Sequence, residues 1–366
     1  MKLFVIGSPW HAILATSITR HDSLDSLYVI EETSRSSLFA ISKILNTQGL
    51  DDKIIAILPW ENVSIEMLIK KYGIKGLVFI KKGIKSNSDS ITQYLDKIDE
   101  VFIFNVNSPV TRSILLKTTQ SISLTKIEDG IVDYLDFKYT EKNELIKMIF
   151  RSIIVAITRT KKIYKRNLKS FLSKIDKQYS FFPESAIKIE FAKIINLTNY
   201  KYEIKRVLKD TFVNNVSDSL DTNCDVLFIG QSLYEDNSLP LSEEIEFYKK
   251  IMGSLVKKYN CIIFKPHPRT CNKKKLALIK YIESNEKIEY LDLDIPVEAL
   301  LVTNNFTLVI GMWSNPIIYG RKLFGIETYS LMHYLDKHYK TTKLLTKIHK
   351  NMLKIFPNDY IGVDFI

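Results

Sequence analysis

Short apolar runs recur along the chain, each closing on a turn residue and each followed by a helical stretch. In the first part they are KLFVI at the start, SLYVIEE ending near Glu32, KIIAILP at 53–59, GLVFIKK at 76–82, EVFIFNV at 100–106 and SLTKIED at 123–129. Helices are predicted between them at 10–19, 36–48, 64–72, 88–97 and 109–118. Runs this short and this uniformly apolar read as strands buried on both faces, and an intervening helix makes neighbouring strands parallel. The alternation resumes with DVLFIG (225–230), CIIFKPH (261–267), IEYLD (288–292) and FTLVIG (306–311). Helices follow at 242–258, 273–284, 296–302 and 313–320. Between the two parts, 141–210 holds few strand signals and many Lys and Arg. The chain is therefore α/β: two Rossmann-like domains with a helical connection. The first is expected over 1–210, including a basic helical segment at about 141–210, the second over 222–340, with a helical tail at 341–366. Ligands of such sheets bind beyond the carboxyl ends of the strands, so two halves of this kind predict a central cleft.

Composition narrows the function. Hydrophobic residues make up 46% and charged residues 25%, which excludes a disordered, collagenous or coiled-coil chain. The formal net charge is +11, which favours an anionic partner. No RNP, KH, helix-turn-helix or zinc motif is present, so nucleic acid is not expected to be that partner. The opening MKLFVIGSPW has no secretory pattern and no run is long and apolar enough to span a bilayer, which predicts a cytoplasmic protein. Its cysteines, Cys224, Cys261 and Cys271, form no CxxC and no metal spacing, and read as reduced thiols. Arg159 to Lys177 is densely basic with Asp176 its single acid. That segment suggests a peripheral hold on an anionic membrane, the inner face of an inner membrane.

The chemistry-bearing residues cluster at strand ends. Lys265-Pro266-His267-Pro268-Arg269 follows CIIF. Two prolines fix the backbone around the histidine, and two cations flank it, a setting suited to an anionic phosphate. Gly311-Met312-Trp313-Ser314-Asn315 follows FTLVI, where Ser314 is placed to cap a helix whose first amides attract phosphate. Glu298 lies in the first turn of a helix, suited either to the helix dipole or to a ribose diol. Glu128-Asp129-Gly130 closes SLTKI and offers a general base. Glu235-Asp236, after the strand that ends at Gly230 and Gln231, is the rival base. Ser8-Pro9-Trp10-His11 follows the first strand, with Trp10 suited to stack on a sugar and Ser8 and His11 to bond its hydroxyls. Asp292-Leu293-Asp294 matches the DxD of metal-dependent glycosyltransferases, but that motif belongs to a single-sheet architecture, so no metal site is assigned.

Taken together these strings resemble the bacterial sialyltransferases, closest to the lipooligosaccharide and capsule α-2,3-sialyltransferase family, with polysialyltransferases more distant. Glu128-Asp129-Gly130 fits that superfamily's acidic D/E-D/E-G motif. His267-Pro268 fits its HP motif, and Pro266 to Arg269 its PHPR form. Ser314 matches the first serine of a Ser-Ser pair whose second position is Asn315 here. Glu298 stands in a P-x-E-x-L setting, GSPWHAIL is similar to a T-P-x-Q opening, and IGQSL around Gln231 is shared.

The resemblance implies a GT-B fold, a CMP-sialic acid donor, a glycan acceptor such as lipooligosaccharide or capsule, and inverting transfer without a metal. In that scheme Asp129 or Glu128 takes the proton of the acceptor hydroxyl, with Glu235 and Asp236 the alternative. His267 protonates or hydrogen-bonds the departing phosphate, which Ser314 and Asn315 steady at Gly311. Lys265 and Arg269 supply charge beside Pro268, Gly230 and Gln231 border the donor, and Glu298 holds the ribose. Ser8, Pro9, Trp10 and His11 receive the acceptor. A GT-B enzyme using another nucleotide sugar, such as an α-glucosyltransferase, is the second reading.

Overall fold

The computed structural model describes residues 1–32, 34–59, 91–106, 108, 110–111, 114, 122–134, 173–217, 224–293, 295–340 and 342–355. It forms two units. The first comprises Met1–Asp129 and Asp136–Thr211, the second Gly130–Leu135 and Phe212–Ile366.

The first unit is built on a parallel sheet of β1 (Lys2–Ile6), β2 (Ser26–Glu32), β3 (Ile54–Pro59), β4 (Glu100–Ile103), β5 (Ser123–Ile127), β6 (Ile175–Ser180) and β7 (Lys193–Asn196). The spatial order is β3-β2-β1-β4-β5-β6-β7. Successive side chains alternate between the two faces. Leu3 and Val5 join Val29, Val101, Ile103 and Leu124 in one core layer. On the other face Phe4 stacks on Phe102, ring centres 4.3 Å apart, and on Tyr28 at 5.7 Å. Both contacts follow from register, because Phe4 lies opposite Tyr28 and Phe102 on its two neighbours. Helix α1 (Pro9–His21) starts where Ser8 caps it and Pro9 supplies a preset φ at its first turn. Helix α2 (Arg35–Thr47) also belongs to this unit, and α3 (Lys201–Ser217) begins in it, the division falling after Thr211.

Strands β6 and β7 correct the reading of 141–210 as a helical stretch. IDKQYS lacks an apolar run because its polar residues bond neighbouring strands and loops. Asp176 accepts from the Ser123 hydroxyl and the Leu124 amide. Lys177 pairs with the buried Glu100 at 2.9 Å, and the Gln178 amide binds the 187–189 backbone. Lys177, although paired, keeps 39% of its side chain exposed. Lys174 is exposed, and 159–172 lie outside the described residues, as do the helix and strand expected at 64–72 and 76–82.

The second unit holds β8 (Val226–Ile229), β9 (Ile262–Lys265), β10 (Ile288–Tyr290), β11 (Leu308–Gly311) and β12 (Glu327–Ser330), all parallel in the order β10-β9-β8-β11-β12. Helices α4 (Leu241–Leu255), α5 (Asn272–Glu283), α6 (Val297–Thr303), α7 (Asn315–Tyr319), α8 (Met332–His338) and α9 (Lys343–Ile355) accompany it. The expected tail at 341–366 groups with this unit: α9 buries Leu345, Ile348 and Met352, and His349 bonds Asp336 of α8 at 3.2 Å. Cys224 and Cys261 are joined as a disulfide, their Cα atoms 4.6 Å apart, against the expectation of three free thiols. Sequence spacing does not reveal this pair because adjacency of β8 and β9 creates it. Cys271 is free. Among the described residues no helix is long and apolar enough to cross a membrane.

Candidate active site

In each sheet the strand order reverses at one point, beside β1 in the first unit and beside β8 in the second, and that is where such sheets bind ligands. His11 follows β1 and Ser314 follows β11, at these two places, while Asp129 follows β5, His267 follows β9 and Glu298 follows the edge strand β10.

In the first unit β1 runs into Gly7 and the first turn of α1, which brings His11 back over the strand ends. The Gly7 amide donates to His11 Nδ1 at 3.1 Å, and His11 Nε2 lies 2.5 Å from Asp129 Oδ1. The imidazole is flat against Phe104, 4.1 Å between ring centres and 7° between planes. Burial pushes the Asp129 carboxyl up, but the His11 imidazole and the Lys126 ammonium beside it prevail and hold it below the usual range. Glu31, at the end of β2, accepts from the Ser108 hydroxyl and from Thr111 Oγ1 at 3.3 Å. Burial raises its carboxyl.

The acidic pair is divided in its work. Glu128 is buried and accepts from Ser180 Oγ at 2.9 Å and from the Phe181 amide at 2.8 Å, so it ties β5 to β6. Asp129 is the one of the two that keeps side-chain exposure, 30%. Three of the four residues expected to receive an acceptor are absorbed by the helix start. Ser8 Oγ takes the His11 amide, Pro9 opens the helix, and Trp10 is buried near Phe181. An aromatic at that position of an all-round buried helix packs inward and presents no broad face to a sugar.

In the second unit β8 and β9 end side by side. A Cβ at Gly230 would lie 3.3 Å from both the His267 amide nitrogen and Pro266 Cα, so a glycine is what lets the histidine loop pack this closely. His267 Nδ1 accepts the Arg269 amide at 3.1 Å. Burial, with the Arg269 guanidinium beside it, pushes His267 down to about 4. At neutral pH its single ring proton is therefore on Nε2. Ser314 stands at the N-cap of α7, and its hydroxyl is buried without a partner among the described residues. Asn315 opens that helix, and a side chain at Gly130, whose φ is +90°, would run into the Asn315 carboxamide. Gly311 packs under β8, where a Cβ would sit 3.3 Å from Ile229 Cβ.

Other residues at these strand ends are already engaged. Arg269 forks onto Asp236 at 2.8 Å and Ser232 at 2.8 Å. Glu235 takes the Cys271 amide at 2.7 Å and Lys274 Nζ at 2.6 Å. Burial raises Glu235, but Lys274 and the Cys271 amide outweigh it and keep the carboxyl ionised. Both rival bases are thus structural anions, each held by a cation. Lys265 is buried and donates to the Leu293 carbonyl, so it is not a loose phosphate cation. Gln231 contributes its backbone, bonded at N and O by the Tyr248 hydroxyl at 2.6 and 3.1 Å. Pro268 is exposed. Glu298 is buried and pushed up to about 7 by burial, with Lys265 opposing.

Sequence reading missed the residues that lock these loops: Ser232, Glu244 and Lys274 in the second unit, Glu31 and Ser108 in the first. Lys274 is 1% exposed and binds Glu235 and, at 2.9 Å, Glu244, yet within NKKK it looks like a solvated face. Glu31 did carry a signal, a carboxylate inside a strand buried on both sides. Among the described residues no three His, Cys, Asp or Glu side chains group as for a metal ion. Asp292 pairs with Lys275, and Asp294 lies outside the described residues.

The fold is shared with UDP-GlcNAc 2-epimerases. The enzyme from Methanocaldococcus jannaschii superposes with a TM-score of 0.52 at 14% identity, over 98% of this chain and 94% of the other. The Neisseria meningitidis epimerase, solved with UDP-GlcNAc, gives 0.50 at 14%, over 98% and 93%. The Staphylococcus aureus MnaA–UDP structure gives 0.52 at 13%, over 98% and 89%. No curated protein matches the chain by sequence. Two parallel Rossmann-like units of this kind are a GT-B fold. Residues 2–333 match the model of the alpha-2,8-polysialyltransferases, and the chain belongs to that family, which makes its class that of a glycosyltransferase working on a nucleotide sugar and a glycan acceptor. Within the superfamily its motifs resemble, this is the branch that motif order placed further off than the α-2,3 enzymes.

Proposed function

We propose that the chain transfers sialic acid from CMP-sialic acid to a hydroxyl of a cell-surface glycan, lipooligosaccharide or capsule, with inversion and without a metal ion. The observation that carries this reading is a matched pair of protonation states. Asp129 is held ionised, as a base for an acceptor hydroxyl must be. His267 is held neutral with its ring proton on Nε2, as a hydrogen-bond donor to a departing phosphate must be. Asp129 takes the hydroxyl proton, and the bond to CMP breaks through an oxocarbenium-like state akin to that of glycosidases. His267 and the unpartnered Ser314 hydroxyl receive the phosphate, with Asn315 beside them, and Glu298 holds the ribose.

Family membership makes sialosides the first acceptors to try and an α-2,8 linkage the first product to look for. The decisive assay incubates the protein with CMP-sialic acid, sialoside and galactoside acceptors, with and without a chelator, and reads linkage and anomeric configuration by NMR. Transfer from UDP-sugars but not from CMP-sialic acid overturns the donor assignment. A rate abolished by chelator and restored by a divalent ion overturns metal independence. Peripheral membrane binding through 159–177 belongs to the same proposal. Sedimentation with anionic vesicles and not with neutral ones is its expected result, and equal sedimentation with both refutes it.

A further inference from the structure

Both ring nitrogens of His11 are committed. Nδ1 accepts the Gly7 amide, and Nε2 faces Asp129 Oδ1 at 2.5 Å. A backbone N–H has one proton and cannot accept, so Nδ1 must be the unprotonated nitrogen and Nε2 must carry the hydrogen. An imidazolium would set Nδ1–H against the Gly7 N–H, two donors facing each other across 3.1 Å. A half-turn of the ring would keep its stack on Phe104 but would set a C–H where the Gly7 amide finds its acceptor. From these contacts we infer that His11 is a positioning residue, an imidazole locked as an Nε2–H donor that sets the rotation and basicity of Asp129.

This inverts the familiar order of carboxylate and imidazole. In Ser-His-Asp systems the carboxylate orients the base that is the imidazole; here the imidazole orients the base that is the carboxylate. The inference rests on the proposed transfer for its catalytic meaning. In that step the acceptor O–H bond breaks and its proton passes to the Asp129 carboxylate. The freed oxygen bonds the anomeric carbon as the bond to the CMP phosphate breaks. His11 keeps its Nε2 proton throughout, because Oδ1 accepts in both states of the carboxyl. The charged and titratable groups around His11 are Asp129 after β5, Lys126 within β5 and Glu31 at the end of β2, the last paired with Ser108 and Thr111.

The test uses the full chain labelled with 15N-histidine. Long-range 15N–1H spectra report the tautomer, and His11→Phe identifies the resonance while keeping an aromatic against Phe104. An Nε2–H pattern is expected. An Nδ1–H pattern overturns the lock. The 13C titration of the Asp129 carboxyl should move up by about one pH unit in His11→Phe, and the acid limb of kcat/KM for sialyl transfer should move with it. His11→Gln, whose carboxamide restores an N–H donor, should return part of both shifts. A purely structural role would lower the melting temperature and leave titration and limb in place, and that result sinks the inference. Should His11→Phe fail to fold, the wild-type tautomer and His11→Gln decide alone. If sialyl transfer itself is absent, the two NMR readouts still stand, so failure of the proposed reaction and failure of the lock are told apart.

Discussion

Each unit holds a histidine just beyond a strand end, and each histidine has Nδ1 blocked by a backbone amide: His11 by Gly7, His267 by Arg269. The same device serves opposite surroundings. In the first unit Nε2–H meets a protein carboxylate, Asp129, and the product is an ionised base. In the second unit no protein carboxylate among the described residues accepts from His267; its neighbour Arg269 is occupied by Asp236, and burial keeps the ring neutral down to about 4. One imidazole is saturated by the protein, and the other holds its donor for something else. The lesson is that tautomer, fixed by a backbone N–H, can be common to two sites while function is set by what faces the remaining nitrogen.

That contrast breaks most sharply at the base. Asp129→Asn should cost about 10³-fold or more in transfer, at the upper end of what a general base supplies, with CMP affinity unchanged in a calorimetric titration. Asp236→Asn should cost far less and act by loosening Arg269. If Asp236→Asn is the dead variant and Asp129→Asn is active, the two units have exchanged roles and the comparison fails.

His267→Ala should come next, lowering kcat by about 10²-fold, the scale of one lost oxyanion donor. It also has a signature in stability. With a folded pKa near 4 and an ordinary value of 6.5, the unfolded chain binds more protons between those limits. His267 therefore contributes stability above pH 6.5 that is lost as pH falls toward 4. Glu298 has the opposite sign. Its folded pKa of about 7 against an ordinary 4.5 makes the folded chain bind more protons in that window. Its contribution is full below 4.5 and lost as pH rises through 7, on the order of 3 kcal/mol if the shift is wholly realised. The two slopes oppose each other in the wild type, so each variant unmasks the other. Urea midpoints should climb with pH from 4 to 6.5 in Glu298→Gln and decline from 4.5 to 7 in His267→Ala. Parallel pH profiles for the two variants would show that burial does not control these groups.

Much of this was legible in the chain itself. The parallel α/β character follows from apolar runs such as KLFVI and DVLFI, whose residues are the buried β1 and β8. Placement of Asp129 and His267 at strand ends follows from the turn residues after them. What sequence could not show is partner choice across the sheet. Glu128 and Asp129 are adjacent carboxylates with indistinguishable local chemistry, and only β6, itself disguised by its polar IDKQYS, draws one inward. Arg269 and Asp236 are 33 residues apart, and Lys274 reads as surface until Glu235 and Glu244 close around it. Trp10 is the converse case, an aromatic whose chemistry suits a sugar but whose helix buries it. Local pattern reports how an element sits; satisfaction of a buried charge is settled by a distant residue.

The smallest effect tests that last distinction within two consecutive residues. Glu128→Gln keeps the shape of the side chain and one acceptor oxygen, while weakening the bonds from Ser180 Oγ and the Phe181 amide. Hydrogen bonds to a charged acceptor are worth about 1.5–3 kcal/mol each, and an amide oxygen retains part of that. The variant should lose about 1–2 kcal/mol of stability by denaturant titration, with transfer within about twofold of wild type once folding is allowed for. Ser180→Ala should lose less, about 1 kcal/mol, because the Phe181 amide still holds the carboxylate. Were Glu128→Gln as inactive as Asp129→Asn while equally well folded, the carboxylate turned toward β6 would have to reach substrate. The division of labour between the two acids would then be wrong, whatever the fate of the histidine contrast.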